Sequence, residues 1–236
     1  MTRAVIFDLA GTLTEPLPPM DPAEPWRRYA AAAAPDDPVD LAERLLAGER
    51  RAFVACRDGG LSFTFDRILD HAGVRPVAAA VTAYRDCWEP YTRCVADAAA
   101  VLTALRDRGL ATGLLSNTLW PVSWHHEYLA RDGVLDLFDA MVFSSELPVA
   151  KPHPDVFRAV LDRLGGPAPA DCLFVGDRMF EDISGAQGVG MRTVALPDAT
   201  VADEHRVLVD VEPTYRISRL AEVLDVVDRW LALPVP

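Results

Sequence analysis

Apolar and polar positions fall into two rhythms along the chain. From residue 97 onward, short apolar runs alternate with amphipathic stretches. The pattern predicts a helix over 97–108 ending at Gly109, a strand over 111–115 stopping at Ser116-Asn117, and a helix over 121–132 ending at Gly133. A strand over 139–144, a helix over 154–164 closed by Gly165-Gly166, and a strand over 172–175 stopping at Gly176-Asp177 come next. A short helix over 182–188, a strand over 191–196 and a final helix over 217–232 complete the series. In the last of these, Ile217, Leu220, Val223, Leu224, Val227 and Leu231 recur at helical spacing. One more strand, 4–8 (AVIFD), opens the chain and runs into Gly11-Thr12.

Between residue 8 and residue 97 the rhythm changes. Residues 15–25 (EPLPPMDPAEP) hold too many prolines for regular structure and read as a linker. Residues 26–90 are rich in Ala, Leu and Arg at helical spacing, with Leu41, Ala42, Leu45 and Leu46 on one face and Ile68, Leu69 and Ala72 on another. Three or four helices are expected there, broken at Pro35–Pro38, Gly59-Gly60 and Gly73–Pro76, with no strand among them. Strands alternating with helices of ten to fifteen residues argue a parallel sheet with helices on both faces, and strands without strict polar alternation argue burial on both sides. The expected class is therefore α/β: a three-layer Rossmann-like core with a central parallel sheet, formed by 1–14 and 93–236, and an inserted α-helical domain at 15–92.

Composition narrows the setting. A chain of 236 residues, half of them hydrophobic, can bury a core and a smaller insert. It has no run of eighteen uncharged apolar residues, so no membrane span is expected, and its first residues lack the apolar region and cleavage site of a signal peptide. Four scattered cysteines, with no C-x-x-C pair, fit reduced thiols in a cytoplasmic protein. The formal charge of −12 repels nucleic acid and anionic membranes, so neither is an expected partner. Monomer and homodimer both remain open. The same field repels a phosphorylated substrate at long range, so any attraction must be local. Of 23 basic residues Lys151 is the only lysine.

Ligands of an open parallel sheet bind beyond the C-terminal strand ends. Asp8 with Gly11-Thr12, then Ser116-Asn117, then Lys151, then Asp177 with Asp182 all follow predicted strands. Three acids converging there would repel one another unless a hard cation relieved them, and oxygen ligands with few carboxylates suit Mg²⁺. Asp8 is then placed to attack phosphorus as a nucleophile, Asp177 and Asp182 to hold the metal, and Ser116 and Lys151 to hold phosphoryl oxygens.

These residues resemble the haloacid-dehalogenase-like superfamily. Asp8-Leu9-Ala10-Gly11-Thr12 is similar to its first motif, D-x-D-G-T. Ser116-Asn117 is similar to the second, Lys151-Pro152 to the third, and Gly176-Asp177 through Asp182 to the fourth, G-D-x₄-D. The resemblance implies a Mg²⁺-dependent hydrolase, with an aspartyl-phosphate formed at Asp8 and a small phosphorylated metabolite as substrate. It implies metal ligation by Asp8, the Ala10 carbonyl, Asp177 and Asp182, and phosphate contacts from Gly11, Thr12, Ser116, Asn117 and Lys151. The helical insert then corresponds to a C1-type cap, from which Arg57 is a candidate substrate contact or else a solvated arginine.

Position 10 departs from the motif. Most phosphatases of the superfamily carry a second Asp there, which protonates the leaving oxygen and later activates water. Ala10 keeps the metal-binding carbonyl and loses the proton shuttle, a contribution of roughly 10²–10⁴ in rate. The resemblance thus leaves two alternatives beside phosphatase action: an impaired phosphate-binding protein, or hydrolysis of a carbon–halogen or carbon–phosphorus bond. Elsewhere, His125 and His126 point about 100° apart on a helix and are expected to pack rather than share a metal. Trp120 and Trp124, spaced i, i+4, are expected to pack on the core or the cap.

Overall fold

The computed structural model describes residues 3–16, 21–34, 36–196 and 207–233. Its strands are β1 (Ala4–Phe7), β2 (Ala111–Ser116), β3 (Ala140–Phe143), β4 (Cys172–Gly176), β5 (Arg192–Ala195) and β6 (Tyr215–Arg216). They form one parallel sheet in the order β3-β2-β1-β4-β5-β6. The helices are α1 (Glu24–Ala33), α2 (Pro38–Gly59), α3 (Phe65–His71), α4 (Ala78–Trp88), α5 (Ala98–Asp107), α6 (Val122–Arg131), α7 (Pro154–Arg163), α8 (Gly185–Gly188) and α9 (Val223–Leu231).

The layers follow from side-chain alternation in strands buried on both faces. Val5 and Phe7 point to one side of β1, where Leu173 and Val175 of β4 join α5 and α9 in a single core. Ala4 and Ile6 point to the other, where Cys172 and Phe174 meet Val156, Phe157 and Val160 of α7. A third cluster lies off the sheet: Trp26, Tyr29, Leu41, Leu45, Phe65, Ile68 and Tyr84 of α1–α4 pack with Trp124 and Tyr128 of α6. Four helices, α1–α4, thus build a core of their own beside the sheet, within the three or four that the insert's apolar spacing predicts. Gly60, just past α2, adopts φ +62°, the left-handed stop that glycine supplies without strain.

Several segments differ from the sequence reading. The proline-rich stretch is not wholly irregular, because α1 begins at Glu24 and Pro25 occupies its first turn, where a missing N–H leaves no bond unmade. Thr14 also bridges Cys94. The helix expected over 182–188 starts three residues earlier, as a π-helical turn over Met179–Ser184 that passes into α8. The last helix starts only at Val223, preceded by a 3₁₀ turn at Leu220–Glu222. Its buried face is Val223, Val226, Val227 and Trp230, whereas Leu224 and Leu231 are half-buried. Strand β6 went unread, since two residues carry no period. Residues 17–20 of the linker and Pro35 of the first helix break lie outside the described residues. Among the described residues no helix is long and apolar enough to cross a membrane.

Candidate active site

Register sets the site. Phe7 pairs with Leu114 on one side and Val175 on the other, so the residues just beyond, Asp8, Ser116 and Asp177, emerge together where the chain order reverses around β1. The Asp8 amide still donates to the Val175 carbonyl at 2.9 Å, which holds it as a continuation of the strand. Gly11, at φ +83°, turns the chain back. Its N–H donates to Thr14 Oγ1 at 3.2 Å.

Asp182 reaches the same point from the π-helical turn. Its Oδ2 accepts from the Arg178 amide at 3.0 Å. Gly176 makes the approach possible, because a Cβ there would lie 2.5 Å from the Asp182 side chain. Lys151 arrives from the loop after β3. Asn117 pins its backbone on both sides: Asn117 Nδ2 donates to the Lys151 carbonyl at 2.9 Å, and the Lys151 amide donates to Asn117 Oδ1 at 2.8 Å. The ammonium then donates to Asp8 Oδ1 at 2.5 Å and Asp182 Oδ1 at 2.6 Å. Both are short, as charge-assisted bonds are. Asp177 receives weaker contacts, from Arg178 Nε at 3.2 Å and Thr12 Oγ1 at 3.5 Å.

Carboxylate oxygens of Asp8, Asp177 and Asp182 all lie within 4.8 Å of one another, and all three side chains are buried. Burial raises the Asp177 carboxyl to about 8, with the Asp8 and Asp182 charges adding to the shift. Burial likewise raises Asp8 to about 6; Lys151 opposes that shift and Asp182 reinforces it. For Lys151 burial works downward, yet the Asp182 and Asp8 carboxylates outweigh it and hold the ammonium above its ordinary value. One buried ammonium and one half-exposed guanidinium thus face three carboxylates. That excess of oxygen ligands and negative charge fits a divalent cation.

Above the acids opens a cavity of 360 Å³. Asp8, Ala10, Ser116, Asn117, Lys151, Asp177 and Asp182 all line it. Gly11 and Thr12 do not, being turned toward Thr14 and Asp177 instead. Asn117, expected to touch phosphate, lines the cavity while one of its N–H groups and its carbonyl oxygen bond the Lys151 backbone. Arg57 stands exposed at the cavity's edge and pairs with Asp58 at 2.6 Å. His125 is buried, stacks on Phe143 at 4.6 Å, and shares a 2.9 Å hydrogen bond with Thr118 Oγ1. Burial and the neighbouring His126 push it down to about 4, so it packs as a neutral ring.

The roof is stitched to the rim through the α2–α3 loop. Ala150 N donates to the Gly60 carbonyl at 2.8 Å, Ser62 N to Pro148 at 3.1 Å, and Phe65 N to Leu119 at 2.6 Å. Sequence reasoning missed Arg178, whose amide orients Asp182, and Glu49 with the aromatic wall of Tyr84, Trp88, Tyr91, Trp120 and Tyr128. A signal was present: three of the five tryptophans and three of the five tyrosines fall between 84 and 128.

Comparison with known proteins agrees with this architecture. The model of the haloacid dehalogenase-like hydrolase family matches residues 2–190. A glyceraldehyde 3-phosphate phosphatase of Methanopyrus kandleri is 35% identical over 233 residues, covering 96% of this chain and 97% of that one. A phosphoglycolate phosphatase of Pectobacterium atrosepticum is 28% identical over 95% of this chain and 92% of its own. The solved structure of an HAD phosphatase from Thermococcus onnurineus superposes with a TM-score of 0.68 at 21% identity, covering 96% of this chain and 98% of that chain.

Proposed function

Since the chain belongs to the haloacid dehalogenase-like hydrolase family, we propose that it is a Mg²⁺-dependent phosphatase of small phosphorylated metabolites working through a phosphorylated Asp8. The observation that carries this reading is the Lys151 ammonium bridging Asp8 and Asp182 beside Asp177, at the floor of a cavity.

An ammonium has three donors, and two are committed to carboxylates. The third, with the Ser116 hydroxyl, is available to phosphoryl oxygens. Asp8 attacks phosphorus; the P–O bond to the leaving group breaks, and the oxygen departs with the electron pair. Water then attacks the acyl phosphate and releases inorganic phosphate. Lys151 holds the attacking carboxylate in place and offsets charge on the transferring group. Asp8, Asp177, Asp182 and the Ala10 carbonyl would hold Mg²⁺, which supplies charge neutralisation at the phosphoryl oxygens when bound. Ala10 offers the leaving oxygen no proton, so phenolate, carboxylate and phosphate leaving groups are favoured over alkoxides. Residues 1–14 and 93–236 serve as the catalytic core, and 15–92 as a cap that closes over the substrate. The four cysteines are free thiols, consistent with work in the cytoplasm.

The test is Mg²⁺-dependent phosphate release from p-nitrophenyl phosphate, acetyl phosphate and sugar phosphates. Turnover of the first two, abolished in Asp8→Asn, is expected. Turnover that survives Asp8→Asn would overturn the reading.

A further inference from the structure

Glu49 is a charged group the proposed chemistry does not use. It lies on α2, and Glu49, Ala52, Phe53 and Cys56 recur at i, i+3, i+4, i+7, so one helical face runs along the cavity. Cys56 Sγ is 4.0 Å from Asn117 Nδ2, next to the acid cluster. At 1.5 Å per residue Glu49 stands about 10 Å further up that face. Its Oε2 accepts one hydrogen bond, from Trp26 Nε1 at 2.8 Å. Among the described residues no basic side chain forms an ion pair with it; Arg50, its exposed neighbour, acts only at a distance. Burial raises its carboxyl to about 7, against the Trp26 hydrogen bond and the Arg50 charge, which lower it.

The surrounding wall is aromatic. Trp88 lies 6.5 Å from Tyr84, 6.4 Å from Tyr91 and 5.7 Å from Trp120, and Trp120 lies 6.3 Å from Tyr128. All five line the cavity with Glu49. The cluster already accepts one cation, since the Arg85 guanidinium sits 5.3 Å from the Tyr128 ring and 5.0 Å from Trp124. Ring faces and a carboxylate together are the chemistry that receives an ammonium group. The two ends of the cavity thus differ in how acids are partnered: at the floor Lys151 and Arg178 pair with carboxylates, whereas the Glu49 carboxyl in the upper part has no ion-paired cation among the described residues.

We propose that the cavity selects a phosphomonoester whose far end carries a primary or quaternary ammonium group, received by the Glu49 carboxylate within the aromatic wall. This rests on the phosphatase reading for turnover but not for binding. A substrate with a carboxylate at that end meets Glu49 with the wrong sign and is discriminated against.

The experiment compares 6-(trimethylammonio)hexyl phosphate with its neutral isostere 7,7-dimethyloctyl phosphate, and 6-aminohexylphosphonate with neutral heptylphosphonate. The first pair is read as kcat/KM; the second, which is not hydrolysed, as Kd by calorimetry. At least a ten-fold preference for the cationic member of each pair is expected in the native protein. It should fall within about three-fold in Glu49→Gln, which keeps an acceptor for Trp26. Equal or better use of the neutral members overturns the proposal, as does a preference that persists in Glu49→Gln. If neither these esters nor p-nitrophenyl phosphate and acetyl phosphate are hydrolysed but the aminophosphonate preference holds, the phosphatase reading fails and this one stands. If esters are hydrolysed without charge preference, the reverse is true. The isosteric pairs decide in the native protein, so the proposal stays testable should Glu49→Gln not fold.

Discussion

At the floor of the cavity Lys151 contacts two carboxylates at 2.5 and 2.6 Å, and its backbone is clamped by Asn117. In the upper part, Glu49 has one indole N–H at 2.8 Å and lines the same cavity as five aromatic rings. Both regions bury charge, but they hold it differently. The floor gives Asp8 and Asp182 a short, directional partner in Lys151, so their geometry is fixed before a ligand arrives. The upper wall is shaped by apolar packing and leaves its one charge under-partnered. Preorganised polar contacts serve a reaction whose charge changes in a known place, whereas an apolar wall sets size and shape and uses one charge to choose among substrates.

The sharpest way to break the comparison is at the nucleophile. Asp8→Asn is nearly isosteric and is expected to lower kcat by about 10⁴ or more, the scale seen when a covalent catalyst is removed. Phosphate release under saturating substrate measures it, with circular dichroism reporting that the fold persists. Next comes the missing acid. Ala10→Asp faces the same cavity and should raise alkyl-phosphate hydrolysis by roughly 10²–10⁴ while changing aryl-phosphate hydrolysis far less. Equal gains for both esters would mean that proton supply to the leaving oxygen is not the limit.

Stability separates the regions in turn. Lys151→Met leaves the Asp8 and Asp182 carboxylates buried without their cation and should cost about 3–5 kcal/mol in urea unfolding at neutral pH. Proton linkage adds a dependence of stability on pH. In the metal-free protein Asp8 and Asp177 keep their protons to about 6 and about 8, while the unfolded chain releases them near 3.8. The folded state therefore binds more protons in that window, and stability falls as pH rises from near 4 to about 8. A drop of several degrees in Tm is expected in EDTA, since each kcal/mol shifts a chain of this size by about 2–4 °C. Adding Mg²⁺ should reverse it, and a Tm that rises with pH in EDTA would contradict the account. The smallest effect belongs to Arg57→Ala. Its exposed pairing with Asp58 is screened by water, so stability should hardly move and KM should change only a few-fold.

Much of the floor was legible in the linear chain because of how parallel sheets work. Each strand carries its reactive residue at its C-terminal end, and β1, β2 and β4 are short apolar runs that stop at Asp8, at Ser116-Asn117 and at Gly176-Asp177. Lys151 stood out as the sole lysine. What could not be read was how partners are divided. Asn117, read as a phosphate contact, also bonds the Lys151 backbone, and Gly11 and Thr12, read as phosphate contacts, bond Thr14 and Asp177. The final helix was drawn too long because Ile217 and Leu220 match its period by chance, while β5 recruits the residues just before them as β6.

The amino-acid order alone determined the α/β class, the identity of the residues at the strand tips and the helical nature of the insert, because each depends on neighbours a few positions away. Tertiary structure decided that Gly176 yields its space to Asp182, that a lysine 143 positions from Asp8 ties two acids together, and that rings from α4, α6 and the segment between β2 and α6 line one cavity with Glu49. Those outcomes depend on distances between segments remote in the chain, and such distances are set by packing rather than by local pattern.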